Sequence, residues 1–416
     1  MSVALDLTEG QPAGHAARSC IIGMRLAESL GLAPADRSAL YYALLLKDLG
    51  CSSNAAKMAY LFGADDRVVK RDVKTVDWVR RKDNVRFALR QVRPDGRPWQ
   101  RLMQFATLAI RGAGATRQLI RTRCDRGARI ARELGFPEAT AEAIHQLDEH
   151  WNGCGHPDGL RGEEISLLAR VLSIAQSVEV FAREFGPAAA CAMAVERRGR
   201  WFDPQLVEVL LASQNDAQFW QQVLDDDPWT VVASCEPSDD VRGASEEDLD
   251  RIALAFAHVV DAKSPWTFRH SVGVAEIAVG IAETLGYDAD GLRRIRRTAL
   301  LHDLGKLGVS NLILDKPGKL DEQEFATLRR HPEFSQQILS RISCFAPLAP
   351  LAGAHHERLD GRGYYRGIAA GELPLEARLL TVADIFEAMT AARPYRDAVP
   401  QERVLEVLER DAGAAI

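Results

Sequence analysis

An all-α chain built from two related halves is the fold class that the sequence predicts, and three observations carry it. Apolar residues recur at helical spacing, as in Leu249, Ile252, Ala253, Phe256, Val259 and Val260. No long alternating run of β-branched residues appears. The chain also matches itself, most clearly at a constant offset of 208 residues.

Taken in order, residues 17–30 read as a helix with Ile21, Met24 and Leu26 among small residues, closed by Gly31. The run from Leu45 to Gly50 then matches the run from Leu300 to Gly305. Lys47 stands 32 residues after His15, just as His302 stands 32 residues after His270. Further on, 152–165 aligns with 360–373, and 168–176 with 376–384, at the offset of 208. Between Asp48 and Arg123 the first half carries 47 extra residues. This insertion, about 60–110, includes Arg67 to Arg101 with 12 Lys/Arg against 4 Asp. It is expected to be a helical insertion with a solvated charged face, in preference to a polyanion-binding surface, because aspartates and apolar residues interrupt it. The halves are expected at 1–212 and 245–416. Between them 213–244 holds Asp225, Asp226, Asp227 and Pro228 and reads as a polar connection. Residues 245–262 open a helix with Ser245 and Asp248 at capping-box spacing. The first half runs on into a further helix at 206–211, while the second reaches Asp411 and stops at Ile416. The expectation is that the final helix is lacking, or that the chain is a piece of a longer protein in which an output domain follows.

Composition narrows the function. A chain of 416 residues can bury two full cores, and 47% apolar with 26% charged residues is globular. A net charge of −6 offers nucleic acid and membrane surfaces no overall attraction. No apolar run reaches the length of a membrane span, and the N-terminus lacks the basic start and apolar core of a secretory signal. Seven cysteines, an odd number without a C-x-x-C pair, argue against a zinc ribbon and a disulfide framework, so a cytoplasmic protein with reduced thiols is expected.

The chemistry gathers around Leu300 to Lys306, where an apolar run gives way to His302, Asp303, Gly305 and Lys306. His270 precedes it, and His331, the pair His355 and His356, and Asp384 follow. Imidazole with carboxylate suits iron, manganese, zinc or nickel, and these ligands are too many for one tetrahedral ion. A lone His-Asp dipeptide is more often structural; the further ligands outweigh that reading. Adjacent histidines point apart in regular structure, so His355 and His356 share an ion only at an irregular helix end.

These motifs, with Glu333, Glu357, Asp360, Gly363, Tyr364 and the Arg393–Arg396 stretch, resemble the HD-GYP subfamily of HD phosphohydrolases over about 245–416. The resemblance implies two tandem HD-type helical domains. It implies two divalent ions, iron or manganese by preference, with zinc, nickel or magnesium as alternatives. Asp303 would bridge them, with His270, His302 and Asp384 around one and His331, His355 and His356 around the other. Asp303 and Lys306 are then the catalytic residues, and Lys306, Arg393 and Arg396 bind substrate phosphate. The implied reaction is hydrolysis of a cyclic dinucleotide, with cyclic di-GMP preferred and pGpG or GMP as product. Two alternatives stand beside it: an HD phosphohydrolase for another nucleotide, and a non-catalytic nucleotide-binding signalling module. A homodimer or a signalling protein is the expected class of partner.

Two positions depart from the family pattern. Tyr365 stands where the family has proline, which touches loop shape and not the ligands, and Trp266 replaces the glutamate associated with a third metal. The first half departs much further. There His15 and Asp48 remain, but Lys47, Cys51, Arg123, Leu147, Asp148, Gln176, Phe185 and Ala188 occupy the other site positions. A lysine and an arginine at ligand positions repel a cation. His145, His150 and His156 are off register and read as local loop residues. This half is expected to be a degenerate pseudo-dimer partner or regulatory module, with Lys47 and Arg123 as a candidate site for a phosphorylated ligand.

Overall fold

Helices account for nearly all the regular structure of the computed structural model, which describes residues 1–237, 244–267, 269–392 and 397–416. Among the described residues the only extended pairings are two isolated bridges, Asn152 with Arg161 and Arg198 with Phe202. The all-α expectation holds. The chain divides into two compact units, one ending at Ala244 and the other running from Ser245 to Ile416.

Each unit starts from a buried carboxylate that holds a helix N-terminus. Asp261 accepts the Ser271 N–H and hydroxyl at the start of the His270–Thr284 helix. Asp6 accepts the N–H groups of Gly14 and Ala16 at the start of the His15–Ser29 helix. These first-turn donors have no partner within the helix, so a buried end needs such an acceptor. Burial pushes both carboxyls up to about 7, although the hydrogen bonds oppose it. Neither aspartate stands out in the sequence; the repeat register, in which His15 and His270 correspond, places both.

In the second unit the Ala289–Leu301 and Leu375–Thr390 helices pack on the His270–Thr284 helix, and Glu246–Asp261 covers Ala289–Leu301. The expected capping box forms at Ser245 and Asp248. Leu301, Leu304 and Leu307 are buried beneath the turn that carries His302 and Asp303. In the first unit the Pro34–Leu46 and Leu167–Phe185 helices pack on His15–Ser29 in the same way.

The insertion forms helices over Ala55–Phe62, Asp66–Val73 and Arg81–Gln91, then the first turns of the 36-residue Pro98–Glu133 helix. Val69 and Phe87 pack into one small apolar cluster, and Leu61, Ala115 and Leu119 into another. Where a polar connection is expected over 213–244, Ala217–Leu224 and Trp229–Ser234 are helices packed on His15–Ser29. Phe219, Trp220, Val223 and Val232 are buried, and their apolar area outweighs the Asp225–Asp227 run. All seven cysteines are free thiols. No helix among the described residues is long and apolar enough to cross a membrane.

Candidate metal centre

The second unit brings His270, His302, Asp303, His331, His355, His356 and Asp384 into one buried cluster. His302 is the residue at which the Ala289–Leu301 helix ends, and Asp303 opens the tight turn Leu304–Gly308. That turn lies against the His331–Ser340 helix because Gly305 has no side chain. A Cβ there would stand 2.0 Å from the His331 carbonyl oxygen. The Gly305 N–H donates to Ser335 Oγ across the same contact. His355 and His356 follow the short Ala349–Ala352 helix in a turn, the irregular helix end that a shared ion requires.

Four of the five rings are aimed by their other nitrogen. His302 Nδ1 donates to the Ala299 carbonyl at 2.7 Å, His331 Nδ1 to Leu328 at 2.7 Å and His355 Nδ1 to Ala352 at 2.6 Å. His270 Nδ1 instead donates to the Glu387 carboxylate. In all four Nε2 is the nitrogen left to face the cluster. His331 Nε2 and His355 Nε2 face each other at 3.1 Å. Two lone pairs that close repel unless a cation or proton lies between them. The buried His302 Nε2 and Asp303 Oδ1 have no hydrogen-bond partner. Two separate triads have ligand atoms within 4.8 Å of one another, His270, His302 and Asp384 in one and His331, His355 and His356 in the other. Buried lone pairs directed inward without donors are what a cation site presents, so the residues fit divalent metal.

The electrostatics agree. Burial holds His302, His355 and His356 below the ordinary imidazole value, His356 at about 3, which keeps them neutral ligands. Burial opposes ionisation of Asp303 and Asp384, but Lys306 beside Asp303 and the hydrogen bonds of His270 to both hold the carboxyls well below the ordinary range; the same two carboxylates, with Glu387, raise His270 well above the ordinary imidazole value against its burial. Lys306 Nζ pairs with Asp303 Oδ2 and keeps 19% of its side chain exposed. Arg393 and Arg396 lie outside the described residues. Sequence reasoning missed Glu387, three residues past Asp384 and therefore on the same helix face. The repeat could have found it: the register pairs it with Glu179, which accepts from His15 Nδ1 in the first unit.

That first unit has filled the matching place with ammonium groups. Glu9, Asp48 and Cys51 approach as a ligand set would. Yet Lys74 Nζ sits 2.9 Å from Glu9 and 3.8 Å from Asp48, and Lys47 pairs with Asp48 as well. Arg123 pairs with Asp148. Lys74 comes from the insertion. His150 packs against Trp78 and Trp201, and His145 pairs with Asp158, so neither joins a ligand group.

Comparison with known proteins agrees with this geometry. The HD domain family model matches residues 113–206 and 255–416. A 3′3′-cGAMP-specific phosphodiesterase of Vibrio cholerae is 43% identical over 417 residues, spanning 100% of this chain and 90% of its own. The cyclic di-GMP phosphodiesterase response regulator RpfG of Xanthomonas campestris pv. campestris is 37% identical over 176 residues, 42% of this chain and 46% of that protein. A solved V. cholerae structure described as cyclic GMP-AMP specific, V-cGAP3, aligns with a TM-score of 0.68 and 38% identity. It covers 100% of this chain and 92% of that one. The chain belongs to the HD-domain family of phosphohydrolases.

Proposed function

We propose that residues 245–416 form a two-metal phosphodiesterase domain that opens cyclic dinucleotides, with 3′3′-cGAMP as the preferred substrate. The divided carboxylate of Asp303 carries the two-metal reading. Its Oδ2 lies 3.4 Å from both His270 and His302 Nε2, and its Oδ1 lies 3.3 Å from His331 and 3.7 Å from His355. One oxygen thus serves each triad. Divalent ions bound there would supply Lewis-acid contact to phosphoryl oxygens and an activated water for in-line attack. Iron or manganese suits the mixed donors, with zinc, nickel or magnesium as alternatives. Lys306, held at Asp303 yet part-exposed, is placed to pass its ammonium to a phosphate oxygen or to the leaving oxygen. Arg393 and Arg396 would add guanidinium forks for substrate phosphate. Water opens one phosphodiester bond and leaves a linear dinucleotide.

The substrate preference rests on extent of likeness. The sequence favours cyclic di-GMP, and relatives named for that activity match less than half of the chain, as RpfG does over 42% of it. One 3′3′-cGAMP-specific relative matches along all of it, degenerate half and insertion included, while two others so named match over 40% and 42% of it. Residues 1–212 would then serve as a non-catalytic partner domain, within a homodimer or with a signalling protein.

The test is chromatographic product analysis on metal-analysed protein given 3′3′-cGAMP, cyclic di-GMP or a nucleotide monoester, with Mn²⁺ or anaerobic Fe²⁺ and after chelation. Metal-dependent linearisation, faster for 3′3′-cGAMP, is expected. Faster cyclic di-GMP turnover would return the substrate to that nucleotide. No turnover with two ions bound would leave a nucleotide-binding module instead.

A further inference from the structure

Lys47 and Arg123, which the sequence offers to a phosphorylated ligand, are both committed, Lys47 to Asp48 and Arg123 to Asp148. That site does not form. Unpaired cations gather instead on the Arg81–Gln91 helix and the N-terminal part of the Pro98–Glu133 helix. Residues 81–121 carry ten Lys/Arg against Asp83 and Asp95. Among the described residues, Arg121 with Asp158 is the only ion pair that any of these groups makes.

Hydrocarbon is exposed on the same stretch. One side of the Pro98–Glu133 helix buries Ala115 and Leu119 against Leu61, with Leu108 packed on them. The opposite side repeats Trp99, Leu102, Met103, Ala106 and Ile110 at the spacing of a single face. Trp99 is 61% exposed, Leu102 70%, Met103 64% and Ile110 83%. Arg117, about five turns beyond Trp99, continues that line and is exposed as well. Tyr60 borders the stripe, its hydroxyl accepting from Arg111 Nη1 at 3.2 Å. The apolar residues that interrupt the basic run therefore do not all turn inward. The helix is apolar on two sides, and the chain covers one of them.

Charge narrows what covers the other. From Pro98 to Arg123 the helix carries five arginines and no carboxylate, so a second copy laid along the stripe would set arginine against arginine. Nucleic acid would match the charge and leave the large apolar side chains in water. A bilayer surface containing anionic lipid meets both demands: the stripe enters the acyl boundary, the indole sits at headgroup level, and the arginines reach lipid phosphate. The net charge of −6 does not prevent this, because a surface acts on the charges within about one Debye length, roughly 8 Å.

We infer that the insertion is a peripheral membrane-docking surface, in which the Trp99–Ile110 face of the long helix lies in the interface of a bilayer rich in anionic lipid. This goes beyond the hydrolytic reading and does not depend on it.

Flotation of the intact, metal-loaded chain with vesicles of equal parts phosphatidylglycerol and phosphatidylcholine, or of phosphatidylcholine alone, tests this. Binding to the anionic vesicles is expected, about tenfold or more tighter than to the neutral ones and weakened by salt. Leu102→Ser with Ile110→Ser, both at exposed positions, should weaken it by about tenfold or more at unchanged helicity and melting temperature. Arg97→Gln with Arg117→Gln should weaken it on the same scale, each cation near such a surface contributing roughly fivefold. Dibrominated acyl chains should quench the emission of the bound chain, and Trp99→Phe should remove most of that quenching. No binding to anionic vesicles, or undiminished binding by the folded serine pair, would overturn the surface. Quenching unchanged in Trp99→Phe would put another part of the chain at the lipid and overturn the assigned face. Self-association of the lipid-free chain that the serine pair abolishes would give the stripe to a second copy and overturn the lipid.

Discussion

Asp303 and Glu387 act on the same histidine from opposite sides and are expected to fail differently. Asp303 stands 3.4 Å from His270 Nε2, while Glu387 accepts from its Nδ1. Asp303→Asn keeps the shape and removes the charge shared by both triads. The expected outcome is loss of both metal ions and of turnover together, checked by metal analysis beside product formation; an active variant with two ions bound would mean that the bridging role is wrong. Glu387→Gln keeps an acceptor for Nδ1 but withdraws its negative charge from the imidazole. Metal affinity should fall by about 10–100-fold, the usual scale for a partner behind a ligand. Turnover should recover at high metal concentration, and chelator-competition titration separates the two effects. Unchanged affinity would make Glu387 a packing residue.

The turn Leu304–Gly308 and the His331–Ser340 helix touch backbone to backbone, and Gly305 permits it. In Gly305→Ala the new Cβ would meet the His331 carbonyl at 2.0 Å and the Ser335 nitrogen at 2.8 Å. Both are main-chain atoms that cannot rotate away, so turn and helix must separate. A loss of about 1–3 kcal/mol is expected from overpacking, read from the denaturant midpoint. Weaker metal binding should accompany it, because His331 and Asp303 ride on the two elements that part. Gly50 faces the same obstacle at the Arg123 carbonyl, 1.9 Å away, so the contact persists where the ligands have gone. At this scale much was legible. The 32-residue spacing of His270 and His302 and the capping box at Ser245 both place elements where the structure has them. The helices within 213–244 were not legible, because three consecutive aspartates read as a connection while the apolar residues that bury there, such as Phe219, Val223 and Val232, are scattered among polar ones. Glu387 was hidden for another reason. A carboxylate that binds through a histidine's far nitrogen carries no spacing of its own.

Within one chain, the same helical frame solves the problem of a buried carboxylate in two ways. In the second unit Asp303 and Asp384 face imidazole lone pairs, and the arrangement is complete only with cations from solution. In the first unit Asp48 already has Lys47 and Lys74, two ammonium groups that cannot dissociate. The halves should therefore answer metal removal differently. Burying carboxylates without a partner is costly, and a ligand bound only by the folded state stabilises it in proportion to its occupancy. Peptide-level hydrogen exchange on chelated and Mn²⁺-loaded chain reads each unit separately. Chelation should raise exchange in peptides covering His302–Leu307 and His355–Glu357 while leaving Lys47–Cys51 as protected as before. A parallel rise around Lys47 would mean that the first unit also holds metal, against the salt bridges at Asp48. Removing the internal cation should have the converse effect. Lys74→Met leaves Glu9, 2% exposed, without its closest cation, so exchange should rise around Glu9 and Asp48 whether or not metal is present. Second-unit peptides should keep their metal response in that variant, since neither triad contains a residue from the first unit.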